Sequence, residues 1–182
     1  MKALIIKYKP VIRFISLFVL VYVLLSFLYK IYLQWQPVGP YFPDYLSYVV
    51  GKQSVSLLQD LGYNAAVIPH PNEASLKLML NNVYIARIFE GCNGVSVISL
   101  FVAFIVAFSG KATVTFFYIL SGSVLIYSVN LLRIVILTLG LYHYPQHKAL
   151  LHEVVFPGII YGLVCLLWIL WVNRFSKIAS KE

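Results

Sequence analysis

Four long apolar runs and one polar stretch divide this chain. Apolar residues are nearly unbroken from about Phe14 to Leu33, Gly91 to Phe108, Ala112 to Leu141 and Val154 to Val172. A helix crossing a bilayer needs about 20 mostly apolar residues, so the runs predict four transmembrane helices, 14–33, 91–108, 112–141 and 154–172. The polar stretch, 34–90, lies between the first two and opens as a loop at Pro37, Pro40 and Pro43. In it "DYLSYVVGKQSVSLLQDLG" predicts a short amphipathic helix, with Asp44 as N-cap and Gly62 as stop. "SLKLML" and "VYIARIFE" alternate with the period of a strand and meet at Asn81-Asn82, which predicts a β-hairpin leading directly to Cys92. The expected fold is an all-α integral membrane protein, one membrane domain over 1–182, with a small helix and hairpin between spans one and two.

Composition agrees with the pattern. The chain is 61% hydrophobic and 11% charged, too few charges to coat a soluble globule. "MKALIIKYK" resembles the basic leader of a signal peptide, but the apolar run behind it is too long and no small-x-small site follows "YLQWQP". An uncleaved anchor is expected. The net charge of +8 fits membrane topology better than nucleic acid, because no basic stripe with interleaved aromatics occurs. With four spans, Lys2, Lys7, Lys9, Arg13, Lys111, Arg174, Lys177 and Lys181 all fall on one side, with Glu182 the only acid there. Basic residues near span ends are retained in the cytoplasm. Both termini are therefore expected to be cytoplasmic, with the polar insert outside a multi-pass protein of the cytoplasmic membrane. Trp35, Tyr41, Tyr45, Tyr142, Tyr144 and Trp171 lie near span ends, as residues of interfacial belts do.

That topology brings three chemically distinct side chains to one level. Cys92 opens the second span from outside, between Gly91 and Gly94, which permit a tight turn and close backbone approach. Arg133 lies about 32 Å along the third span, near the outer boundary of a hydrocarbon core about 30 Å thick. His152 precedes the fourth span. A charge inside an apolar helix is costly and usually faces the bundle interior, and Asn130, on the same helical face, lays an amide beneath the guanidinium. A thiol at a helix N-terminus near a cation is a candidate nucleophile, with an inert buried cysteine as the alternative. Cys165 lies too deep to pair with Cys92 and is expected to be a packing residue. Among the four histidines, His70 is expected to be solvated. His152 is preferred as acid/base because Glu153 follows it as an orienting carboxylate, and His147 is the second choice. His143, His147 and His152 lack the accompanying cysteines of a zinc site, so no metal is expected. No nucleotide loop, haem motif or other cofactor signal occurs.

These residues, in this order, suggest a family. A Cys-x-Gly at the outer start of one span ("CNG"), an Asn-x-x-Arg in the outer part of the next ("NLLRI") and a histidine opening the last ("LHEVVFPGIIYG") resemble the exosortase/archaeosortase family. The resemblance covers about residues 75 to 172 and is strongest to the compact exosortase F type of Bacteroidota. Larger exosortases have more spans, and the residue after the cysteine is commonly smaller than Asn93. The resemblance implies a membrane-embedded cysteine protease or transpeptidase that cleaves C-terminal sorting tails of exported proteins, each a short motif, a hydrophobic helix and a basic cluster. It implies Cys92 as nucleophile, Arg133 as the group stabilising charge at the scissile carbonyl and His152 as acid/base. Acyl transfer requires those three functions. The competing expectation is a non-enzymatic membrane scaffold in which Arg133 pairs with an acid of a partner span.

Overall fold

A computed structural model describes residues 8–35, 43–108, 110–147 and 149–175. Pro37, Pro40, Tyr41 and the topology-setting Lys2, Lys7, Lys177, Lys181 and Glu182 lie outside them. Five α-helices are described: α1 (Lys9–Gln34), α2 (Tyr45–Asp60), α3 (Val95–Ala107), α4 (Ala112–His143) and α5 (Phe156–Arg174). A π-helical turn, Leu150–Val155, runs directly into α5. Pro157 has no N–H to donate to the carbonyl four residues back, which accounts for a widened turn there. Three helices, Lys9–Gln34, Ala112–His143 and Leu150–Arg174, are long and apolar enough to cross a membrane. The chain is thus a mainly helical protein with the build of a multi-pass membrane protein.

The second expected span is shorter than the sequence suggests. Residues 90–92 form a 3-10 turn, and α3 starts only after Gly94, whose left-handed φ of +80° interrupts the helical path. Phe108, with ψ at 108°, ends it. The resulting 13 residues rise about 20 Å, well short of the hydrocarbon thickness. By contrast α4 has 32 residues and rises about 48 Å, so it overshoots. Helices α3 and α4 run antiparallel, with Gly94 against Asn130 and Phe101 against Gly122. A Cβ at Gly122 would lie 2.3 Å from the Phe101 ring, so only glycine admits that contact.

Two cores result. In the first, α3, α4 and α5 bury Phe101, Ile105, Ile126, Val164, Leu167 and Trp171 together. Trp171 is fully buried beside Tyr118, so it belongs to this core and not to an interfacial belt. Cys165 is exposed, so it does not pack in the bundle as expected. Helix α1 has no buried residue and joins the bundle through rings such as Phe14 against Phe108, 4.5 Å apart. Lipid is as apolar as its side chains, which removes the cost of leaving them exposed.

The second core lies under the polar insert. Asp44 caps α2 by accepting from the Ser47 N–H at 3.0 Å, and the helix stops at the Leu61-Gly62 turn. Strands β1 (Ala65–Pro69), β2 (Leu76–Leu80) and β3 (Val83–Ile88) form an antiparallel sheet in that order. The expected hairpin is β2–β3, with Asn81 and Asn82 both at positive φ, as its tight turn requires. Strand β1 is an addition to that hairpin. Val50, Leu58, Leu76, Leu78, Leu80 and Ile88 pack against Ile134 and Val135 in the C-terminal half of α4, forming an outer core away from the first. The C-terminal part of α4 thus supplies the wall on which the insert is built.

Candidate functional site

Cys92 ends the 3-10 turn between sheet and helix, and its carbonyl accepts from Asn130 Nδ2 at 2.8 Å. Asn130 is 2% exposed on α4, so this bond fixes the cysteine backbone to the third expected span. A Cβ on Gly94 would lie 3.3 Å from the same Asn130 amide. Gly94 is therefore required twice, for its positive φ and for the approach of Asn130. Arg133 lies one helical turn beyond Asn130 and is half-buried. Among the described residues it makes no hydrogen bond or salt bridge.

The Cys92 thiol is half-buried against the outer core. Burial pushes its pKa above the ordinary thiol value, while a hydrogen bond with the Phe89 backbone and the guanidinium groups of Arg133 and Arg87 pull it down. Burial dominates, so the net effect favours the neutral thiol over the thiolate. The two guanidinium groups act in the opposite sense: an anion forming beside this sulfur meets positive charge. Arg87 had no place among the sequence candidates. It lies on β3, pairs with Glu73 and stands 5.7 Å from the Phe89 ring.

Among the described residues no hydrogen bond or ion pair joins His152 to the other two. It is exposed, in the π-helical turn before α5. Its neighbour Leu151 packs on Gly140, with Cδ1 3.0 Å from where a Cβ there would stand. Gly140 is about 15 Å farther along α4 than Asn130, which puts His152 outward of the cysteine turn. The structure therefore brings Cys92 to Asn130 and Arg133, while His152 lies in the exposed turn whose Leu151 packs on Gly140. The other histidines are engaged elsewhere: His143 Nε2 is 3.1 Å from the Tyr63 hydroxyl, the His147 ring meets Tyr144 edge-on, and His70 Nδ1 accepts from the Asn72 N–H. Among the described residues no cluster of three histidines, cysteines or acids is poised to hold a metal.

Sequence reasoning also misses the polar residues around the turn. Asn93 is 2% exposed. Its Oδ1 accepts from the Val95 N–H at 3.1 Å, and its Nδ2 donates to the Tyr29 hydroxyl at 2.6 Å and to Ser47 Oγ at 3.3 Å. Tyr29 in turn donates to the Glu90 carbonyl at 3.3 Å. Asp44 is fully buried nearby, with Oδ2 lacking any partner among the described residues. The only sequence signal is a cluster of polar residues at span ends, and nothing in their spacing joins them.

Comparison with protein-family models, curated proteins and solved structures finds no match for this chain.

Proposed function

We propose that this protein is an exosortase-like cysteine peptidase or transpeptidase of the cytoplasmic membrane. It cleaves C-terminal sorting tails of exported proteins on the outer face, releasing them or transferring them to an amine acceptor. The observation that carries the proposal is the Cys92 carbonyl held by Asn130, one turn from Arg133, which has no partner among the described residues. That supports a thiol and a free guanidinium at one depth, arriving from separate segments.

On this proposal the chain crosses four times, with α3 and the short segment before α4 together making one crossing, and both termini are cytoplasmic. A substrate helix enters from the lipid with its cleavable bond beside Cys92. The Cys92 thiolate, formed by loss of its proton to His152, attacks the scissile carbonyl. A thioester forms, the C–N bond breaks and the leaving amine takes the proton from His152. Water or an amine, losing a proton to His152, then attacks the thioester, and the sulfur leaves as thiolate. Arg133 stabilises the oxyanion of both steps. The outward position of His152 requires the π-helical turn to close on bound substrate, and such turns recur at functional sites.

The exposed His152 and the raised thiol pKa favour a second reading, a membrane scaffold in which Arg133 pairs with an acid of a partner span. Two measurements separate the readings. In host cells, Cys92→Ala abolishes tail removal, read by intact mass of exported proteins, while the variant still inserts. A rapid denaturing quench of the parent protein traps a covalent thioester adduct between Cys92 and a tailed protein, and His152→Ala forms none. Unchanged tail removal in Cys92→Ala rejects cysteine catalysis.

A further inference from the structure

Cys92 is fixed from three directions, and one of them is the N-terminal helix, which contributes nothing to either buried core. Its outer end presents Tyr29. The Tyr29 hydroxyl accepts from Asn93 Nδ2 at 2.6 Å and donates to the Glu90 carbonyl at 3.3 Å, so it grips the turn on both sides of the thiol. From the other side, Asn130 holds the Cys92 carbonyl itself. Asn93 extends the grip: its Oδ1 caps the first turn of α3 through Val95, and its amide reaches Ser47 in the first turn of α2. Three helices thus converge on one side chain next to the thiol. A buried amide that uses both ends in hydrogen bonds has little freedom to turn, and its loss strands the partner groups.

We infer that Tyr29 and Asn93 are positioning residues for Cys92, and that α1 serves as a strap holding the thiol turn against Asn130 and Arg133. This rests on the proposed role of Cys92 in acyl transfer. Neither side chain reaches a substrate on this account; each acts through the backbone of 90–93. The strap also explains why a helix with no buried residue carries a hydroxyl at this depth.

The test uses full-length protein in lipid nanodiscs, with Cys165→Ala so that Cys92 is the only thiol. The rate of alkylation by iodoacetamide is followed from pH 6 to 10. Releasing the turn exposes the sulfur, so Tyr29→Phe and Asn93→Ala are expected to react at least about threefold faster at neutral pH, with the titration midpoint moved toward that of a free thiol. Thr115→Ala breaks a hydrogen bond to the Lys111 carbonyl at the far end of α4 and should leave the profile unchanged. Asn93→Asp keeps the Val95 cap but cannot donate to Tyr29, and should fall between parent and Asn93→Ala. If Tyr29→Phe and Asn93→Ala, both folded by size exclusion and circular dichroism, keep the parent rate and midpoint, the strap is rejected. The readout does not involve proteolysis, so it stands even if Cys92→Ala leaves tail processing intact. Such a result would reject the enzyme and spare the strap.

Discussion

Replacing Asn130 by alanine tests the contact on which the candidate site is built. Asn130 is 2% exposed and donates to the Cys92 carbonyl at 2.8 Å. Removing the amide loses a hydrogen bond with a net value of about 1 kcal/mol and strands the acceptor, whose desolvation costs about 1–3 kcal/mol. Water cannot readily take its place, because Gly94 closes on the same spot. The expected loss is about 2–4 kcal/mol, a sizeable part of the stability of a typical domain. Denaturant unfolding of nanodisc-embedded protein, with tryptophan fluorescence as the signal, measures it. A second substitution separates the hydrogen bond from packing: Asn130→Asp nearly preserves volume but removes the donor and sets a carboxylate against a carbonyl, so it should cost at least as much as alanine. If Asn130→Ala loses less than about 0.5 kcal/mol, the Cys92 carbonyl is not held by α4. The placement of the thiol beside Arg133 would then have no support.

Arg133 and the outer core each carry a further prediction. Arg133 favours the thiolate of Cys92 while burial opposes it, so Arg133→Gln should raise the alkylation midpoint and slow the reaction at pH 8; an unchanged midpoint would mean the guanidinium does not act on the sulfur. Linkage has the matching sign: with the folded pKa raised, the stability gained by burying a neutral thiol is complete below the ordinary thiol pKa and is lost as pH rises through the folded value. Leu78, on β2 of the insert, is fully buried, and Leu78→Ala should cost about 2–5 kcal/mol and speed limited proteolysis of the insert; equal protease resistance would show that the outer core does not hold it.

Much of the architecture is legible in the sequence because single-residue chemistry writes it. Asp44 before an amphipathic run caps a helix, and Asn81-Asn82 between alternating runs makes a hairpin turn, since each acts on its own backbone neighbours. Strand β1 is hidden because Ala65–Pro69 lacks polar alternation and ends in proline. It is a strand only because β2 offers an edge, with Ala66 opposite Met79. The belt expectation for Trp171 fails for a similar reason. Proximity to a span end is visible in the sequence, whereas the ring's burial beside Tyr118 depends on how α4 and α5 pack. At the site, Cys92 and Arg133 stand out as a reactive group and a misplaced charge. Asn93 and Tyr29 do not, because their role lies in a bond between residues 64 positions apart.

The mismatch between α3 and α4 connects fold and chemistry. A helix of 13 residues cannot cross the hydrocarbon alone, and its partner of 32 residues exceeds it. With α3 shortened at its outer end by the 3-10 turn and Gly94, the thiol hangs from the loop side of the bundle instead of being wound into a helix. There its backbone is free to be gripped by Asn130 and by Asn93 with Tyr29. The overshoot of α4 meanwhile carries Ile134 and Val135 into the outer core, where the insert packs and Cys92 is half-covered. A longer α3 would draw residue 92 into regular helical hydrogen bonding and turn its carbonyl away from Asn130. The short helix is thus what allows the Cys92 carbonyl to meet the Asn130 amide, one turn from Arg133 on the same helix.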